Sequence, residues 1–195
     1  MTEKWSSELT RLAIDEGTDK AVKYTDAYSQ LFSHLEDTDA VLVEIGIGWL
    51  NSIRLWHKAY PRWRIIGMDK RRIIRPRTIL ADLALGRTDV LQRNTFDGKV
   101  RLIHGDQRRL WDLQRLLRVV SSPIDVFIDD GSHDPVDQLD TFLWCYPAVT
   151  SRGYYVIEDV MPDSPIFTAL KGRQIMTINE TGKTPDCAVV LRGGR

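Results

Sequence analysis

Ala40-Val41-Leu42-Val43-Glu44-Ile45-Gly46-Ile47-Gly48-Trp49-Leu50-Asn51-Ser52 carries a short apolar run, then two glycines, then the start of a helically spaced segment. The run reads as a buried strand, and the glycines permit a tight turn in which backbone N–H groups lie open at a helix start. The same unit recurs along the chain. Arg64–Met68, Val100–Ile103, Asp125–Ile128 and Tyr154–Ile157 read as further strands. Between the strands, Ser52–Ala59, the region around Ile79–Leu85, Gln107–Val119 and Pro135–Tyr146 have helical apolar spacing. Alternation of this length predicts a parallel sheet covered on both faces. Arg173–Ile178 and Cys187–Leu191, joined by the turn-rich Asn179–Asp186, are expected to add an antiparallel pair. The expected fold is therefore α/β, a doubly wound, mostly parallel seven-stranded sheet. A helical N-terminal segment, centred on Trp5–Leu35 and occupying residues 1–38, should lie outside that sheet.

Bulk properties agree with one domain over residues 1–195, a length that supports a single substantial core. Apolar residues make up 43% and charged residues 28%, the range of ordinary globular proteins, so disorder is not expected. No apolar run approaches the roughly 20 residues of a membrane-spanning helix, and Met1–Glu8 lacks a secretory pattern, so a cytoplasmic protein without a membrane partner is expected. Lys plus Arg and Asp plus Glu balance at 27 each, so no global field attracts nucleic acid. The local basic cluster from Lys70 to Arg77 is read as a solvated loop. Cys145 and Cys187 lack ligand spacing and read as buried free thiols, neither a disulfide nor a zinc site.

Ligands of doubly wound sheets bind beyond the carboxyl ends of the strands, so the turns there carry the functional reading. Asp69 ends the second strand and can accept hydrogen bonds from both hydroxyls of a ribose. Dinucleotide binding stays open at this point, although Asn51 stands where the third glycine of that motif would fall. Asp106 and Gln107, after the third strand, can hydrogen-bond a polar base edge, although an aspartate there also serves as a helix cap. Asp129-Asp130-Gly131-Ser132-His133 and Glu158-Asp159 close two adjacent strands with four carboxylates. Such acids repel unless protonated, exposed or bound to a cation, and a divalent ion on oxygen ligands, magnesium or manganese, is the simplest resolution. His133, in the same turn, has the chemistry of a general base near neutral pH.

Taken together, these residues resemble the class I S-adenosylmethionine-dependent methyltransferases. The resemblance is strongest to the metal-dependent sugar O-methyltransferases of antibiotic biosynthesis, those acting on mycinamicin and rhamnosylated tetracenomycins, and extends to the cephalosporin-hydroxylase-like group. It runs through Gly17-Thr18-Asp19-Lys20 with Tyr24 and Tyr28, Glu44 to Gly48 with Ser52 and Trp56, and Gly67-Met68-Asp69. It continues through Gly105-Asp106-Gln107, Asp129 to His133 with Gln138 and Phe142, and Gly153 with Val156 to Asp159.

The resemblance implies a Rossmann-like methyltransferase fold. It implies that Gly46 and Gly48 lie against the methionine part of S-adenosylmethionine, with Glu44 and Ser52 in the same site. Asp69 would hold the ribose, and Asp106 and Gln107 would border the adenine. Asp130, Glu158 and Asp159 would ligate a divalent metal, Mg2+ by preference, Asp129 would face the cofactor, and His133 would be the catalytic base. Alignment with catechol-type methyltransferases would exchange Asp129 and Asp130. The implied reaction is methyl transfer to a hydroxyl of a small molecule, a sugar or other polar natural product. Leu50 departs from the family pattern by standing where many class I enzymes have a third glycine. Beside some relatives the chain is also expected to do without a large N-terminal domain and long lid, so an open acceptor site is expected, or one completed by another subunit of a homo-oligomer. An NADP-dependent oxidoreductase, with the basic cluster on a 2′-phosphate, and a non-catalytic protein retaining the fold are the alternatives.

Overall fold

The computed structural model describes residues 2–20, 24–71, 92–179 and 187–193. At its centre β1 (Val41–Ile45) pairs in parallel with β2 (Arg64–Asp69) on one side and β5 (Ile124–Asp129) on the other. Outward from β2 lie β4 (Val100–His104), parallel, and β3 (Gln92–Thr95), antiparallel. Outward from β5 come β6 (Val149–Ile157), parallel, and then β8 (Cys187–Arg192) and β7 (Ile175–Asn179), each antiparallel to its neighbour. The order β3-β4-β2-β1-β5-β6-β8-β7 contains all seven expected strands. The eighth, β3, was not expected, because Gln92-Arg93-Asn94-Thr95 has no apolar alternation.

Successive strand residues face opposite layers, and both layers are apolar, which is why the strands read as continuous apolar runs. Leu42, Ile65, Val126, Ile128 and Val156 enter one core with α1 (Thr2–Glu16), α2 (Thr25–Phe32) and α3 (Asn51–Ala59). Val43, Ile66, Phe127, Tyr155 and Ile157 enter the other with α4 (Leu110–Val120) and α5 (Pro135–Cys145). A short helix, α6 (Ile166–Ala169), packs Ile166 into this second layer.

The N-terminal helices are fixed to the first layer by aromatic and polar contacts. Tyr28 stacks on Phe32 with centroids 5.3 Å apart, Phe32 meets Trp63 edge-on at 5.9 Å, and the Trp63 indole N–H donates to the Leu35 carbonyl at 3.0 Å. Glu16 ties α1 to α3, accepting from Arg54 at 2.6 Å and pairing with Lys58. The expected helical extension is thus present as α1, α2 and a 3-10 turn at Ser33–Leu35. The helix expected around Ile79–Leu85 and most of the basic cluster, residues 72–77, lie outside the described residues. Cys145 is a buried free thiol, whereas the side chain of Cys187 lies outside the described part.

Candidate functional site

Gly46 and Gly48 follow β1 with φ of +89° and +45°, in the left-handed region that suits glycine. A Cβ on Gly46 would stand 1.7 Å from the Asp130 carbonyl oxygen, so the turns after β1 and β5 touch backbone to backbone. Gly48 has open space where its Cβ would be. Its N–H donates to Asp69 Oδ2 at 2.8 Å, and the Arg71 N–H donates to the other Asp69 oxygen at 2.6 Å. Leu50, at the expected third-glycine position, is itself left-handed, with φ of 69°. The loop keeps a glycine-like path, and the partly buried Leu50 side chain packs on the first core.

These turns border a cleft of about 470 Å³ lined by Gly46, Gly48, Asp69, Asp106, Gln107, Asp130 and His133, with Lys70 and Arg71 at its edge. Asp106 is paired with the Arg108 guanidinium, whose hydrogen bonds hold its carboxyl down at about 2. Gln107 reaches the cleft, but its amide is used within the protein. It donates to Asp129 and to Thr141, each at 3.2 Å, and accepts from the Ser132 N–H at 2.8 Å, bracing the turn after β5. A smaller cavity of about 230 Å³ adjoins, bounded by Thr18, Asp19, Trp49 and Ser52 and sharing Gly46, Gly48 and Asp130 with the cleft. Trp49 is 81% exposed, and the Arg71 guanidinium lies 5.6 Å from its ring centroid.

The strand-end acids do converge, and a lysine lies among them. Lys20 Nζ donates to Asp130 Oδ2 at 2.7 Å and to the two oxygens of Glu158 at 2.8 and 2.6 Å, with Glu44 Oε1 at 3.3 Å. Burial pulls the ammonium down, but the three carboxylates outweigh it and hold Lys20 well above the usual lysine range. Tyr28 donates to Glu158 at 2.6 Å and Tyr24 to Asp159 at 3.0 Å. Spacing could not find Lys20, because its partners Asp130 and Glu158 stand 110 and 138 residues away. Its only signal, with the two tyrosines, was membership of the Gly17–Tyr28 stretch that carries the resemblance.

His133 Nε2 lies 3.1 Å from Asp130 Oδ1, and its Nδ1 lies 3.5 Å from Asp159 Oδ2. Its hydrogen bond with Asp130 raises the proton affinity of the imidazole. Among the described residues, Asp130, His133 and Asp159 each offer an atom within 4.8 Å of the others, an oxygen-and-imidazole set suited to a hard or borderline cation. His133 and Asp159 have φ of 59° and 52°, a conformation unfavourable for side-chain-bearing residues and concentrated at working sites. Glu158 is not part of this set, and its oxygens accept from Lys20 and Tyr28. Glu44 and Asp129 are fully buried and are not among the residues lining the cleft. Glu44 accepts from the Trp56 indole at 3.0 Å, and burial pushes Asp129 up to about 7.

No protein-family profile matches the chain. It is 30% identical over 161 residues, 78% of its length, to the 8-demethyl-8-alpha-L-rhamnosyl tetracenomycin-C 2'-O-methyltransferase of Streptomyces olivaceus, covering 37% of that protein. It is 29% identical over 145 residues, 70% of its length, to the mycinamicin VI 2''-O-methyltransferase of Micromonospora griseorubida, covering 31% of it. The chain thus spans about a third of the length of the curated relatives it matches. Among solved structures, it is similar to the MycE methyltransferase of the mycinamycin pathway in complex with Mg, SAH and mycinamycin VI. That likeness has a TM-score of 0.68 and 23% identity over 95% of this chain and 53% of the other. CalS11, a TDP-rhamnose 3'-O-methyltransferase, matches 99% of this chain and 94% of its own with a TM-score of 0.55 and 14% identity. The fold is the Rossmann-like methyltransferase fold.

Proposed function

We propose that this chain carries the cofactor and metal site of an O-methyltransferase that moves a methyl group from S-adenosylmethionine to a hydroxyl of a sugar or other polar small molecule. The observation that carries the reading is that Asp130 and His133 line the same cleft as Gly46, Gly48 and Asp69. On this reading an imidazole and a candidate cation set share the cleft that would take the cofactor. The curated relatives are named as methyltransferases of sugar hydroxyls, which supports the substrate class.

In this reading Gly46 and Gly48 let the methionine part approach backbone, Asp69 takes the ribose hydroxyls, and Asp106 with Gln107 borders the base. Glu44 and Asp129 act from behind, Glu44 through Lys20 and Trp56, Asp129 through Gln107. Ser52 belongs to the adjoining cavity. Asp130, Glu158 and Asp159 would hold a divalent ion, magnesium by preference. When bound, that ion supplies Lewis-acid acidification of an acceptor hydroxyl. Asp130 can only accept, so a neutral His133 carries its proton on Nε2 toward Asp130 and leaves Nδ1 to receive the hydroxyl proton. S-adenosylmethionine, held by these residues, would supply the methyl group, its S–CH3 bond breaking as the acceptor oxygen takes the methyl and S-adenosylhomocysteine is left, with positioning supplying much of the rate.

Calorimetry with S-adenosylhomocysteine, with and without magnesium, tests the cofactor assignment. Heat with NADPH and none with S-adenosylhomocysteine would sink it. EDTA should abolish methyl transfer to a rhamnosylated acceptor. His133→Ala should lower turnover by about 10²–10⁴ while ion affinity stays unchanged. A second arrangement, His133 Nδ1 as a third ligand with Asp130 and Asp159, is favoured by the 4.8 Å cluster. Under it His133→Ala weakens the ion and turnover together. Full turnover in EDTA and in His133→Ala would assign these residues to the fold alone.

A further inference from the structure

We propose that Lys20 is an exchangeable counter-ion for the strand-end acids: its ammonium and a divalent cation compete for the same oxygens of Asp130 and Glu158, and ion uptake moves Lys20 off them. The inference rests on the reading that this site takes a divalent ion. Lys20 Nζ stands within 2.8 Å of three carboxylate oxygens, Asp130 Oδ2 and both oxygens of Glu158. All three ammonium hydrogens are thereby engaged. A magnesium ion needs ligand oxygens at about 2.0–2.1 Å and near-octahedral directions. Nζ contacts both Glu158 oxygens, so an ion held between those oxygens and Asp130 would occupy the space that the nitrogen now fills, and one space cannot hold both cations.

The structure also offers the displaced ammonium somewhere to go. Glu44, fully buried, already lies within ion-pair reach, its Oε1 3.3 Å from Nζ, farther than the oxygens of Asp130 and Glu158. Rotation of the Lys20 side chain toward β1 would keep the ammonium paired with Glu44 as Asp130 and Glu158 are given up. Tyr28 stays on Glu158 Oε1 throughout, holding the carboxylate in place during the exchange. Lys20 thus keeps the acids neutralised when no ion is bound, and lowers the affinity of the centre by competing for it.

Magnesium binding to Lys20→Met, Lys20→Arg and the unaltered chain, followed by calorimetry in the presence of S-adenosylhomocysteine, tests the proposal. Lys20→Met should bind magnesium more tightly by about 10- to 100-fold, the scale on which groups beside metal ligands tune affinity. Its melting temperature in EDTA should fall, because buried Glu44 and Glu158 lose their cation, and magnesium should raise it by more than in the unaltered chain. Lys20→Arg keeps the charge and should keep the weaker binding. Should Lys20→Met fail to fold, the unaltered chain with 15N-labelled lysine still gives an answer. The hydrogen-bonded ammonium resonance of Lys20, assigned by its loss in Lys20→Arg, should shift on magnesium saturation. Equal or weaker binding by Lys20→Met, or an ammonium resonance unmoved at saturation, overturns the exchange while leaving the metal site standing. Absence of magnesium binding in every variant overturns both.

Discussion

Gly46 joins two strand ends by having no side chain. Gly46→Ala would add a methyl 1.7 Å from the Asp130 carbonyl oxygen and force a left-handed φ on an alanine, which alone costs about 1–2 kcal/mol. The variant should therefore be destabilised in urea melts by more than that amount, with loss of magnesium binding, since Asp130 moves with its carbonyl. A melt and magnesium affinity like those of the unaltered chain would detach the two turns. Asp69 takes two backbone N–H bonds in the structure and, on the proposed reading, would also hold the ribose. Asp69→Ala should weaken S-adenosylhomocysteine by about 1–3 kcal/mol in calorimetry, and unchanged affinity would remove it from the site. Gly46, Gly48, Asp69, Asp130 and His133 were legible as cleft residues because each lies in the turn that ends an apolar run, and strand ends are where such folds bind ligands. Gln107 was legible as a cleft residue only, because its amide partners Asp129, Thr141 and Ser132 come from other segments. The four acids suggested an external cation, whereas the chain already supplies one in Lys20.

The clamp between α1 and α3 is electrostatic as well as apolar. The Lys58 hydrogen bond, helped by Arg54, holds Glu16 below the usual glutamate range. A carboxyl lowered on folding stabilises the fold above its unfolded value, about 4.3, and the contribution is lost as pH falls through the lower folded value. Glu16→Gln should thus melt earlier at pH 7, by no more than about 1 kcal/mol per partly exposed pair, and match the unaltered chain once Glu16 is protonated. A difference that persisted in acid would make the effect one of packing. Helices α3 and α5 follow from apolar spacing, with α5 capped by Asp134 and begun by Pro135. Strand β3 escaped the apolar pattern, but a turn signal marked it. Asp97-Gly98, with φ of 55° and 78°, is the dipeptide of a tight hairpin, and β3 and β4 are its two arms.

At the scale of the molecule, one sheet separates two apolar layers, and neither layer is complete without it. Fluorescence of the buried Trp56 and Trp63 and far-ultraviolet dichroism should then lose their signals in a single urea transition. Two separated transitions would show that the layers unfold independently. The long reach of Lys20 has a further consequence, one that concerns synthesis. The ribosome makes Lys20 and Tyr28 early, and their carboxylate partner Glu158 comes 138 and 130 residues later. Until the turn after β6 emerges, Lys20 can meet Glu44 and Asp130 but not Glu158, and a buried lysine short of its partners is costly. The last contacts of Lys20 and Tyr28, those to Glu158, can therefore close only after most of the sheet has been made.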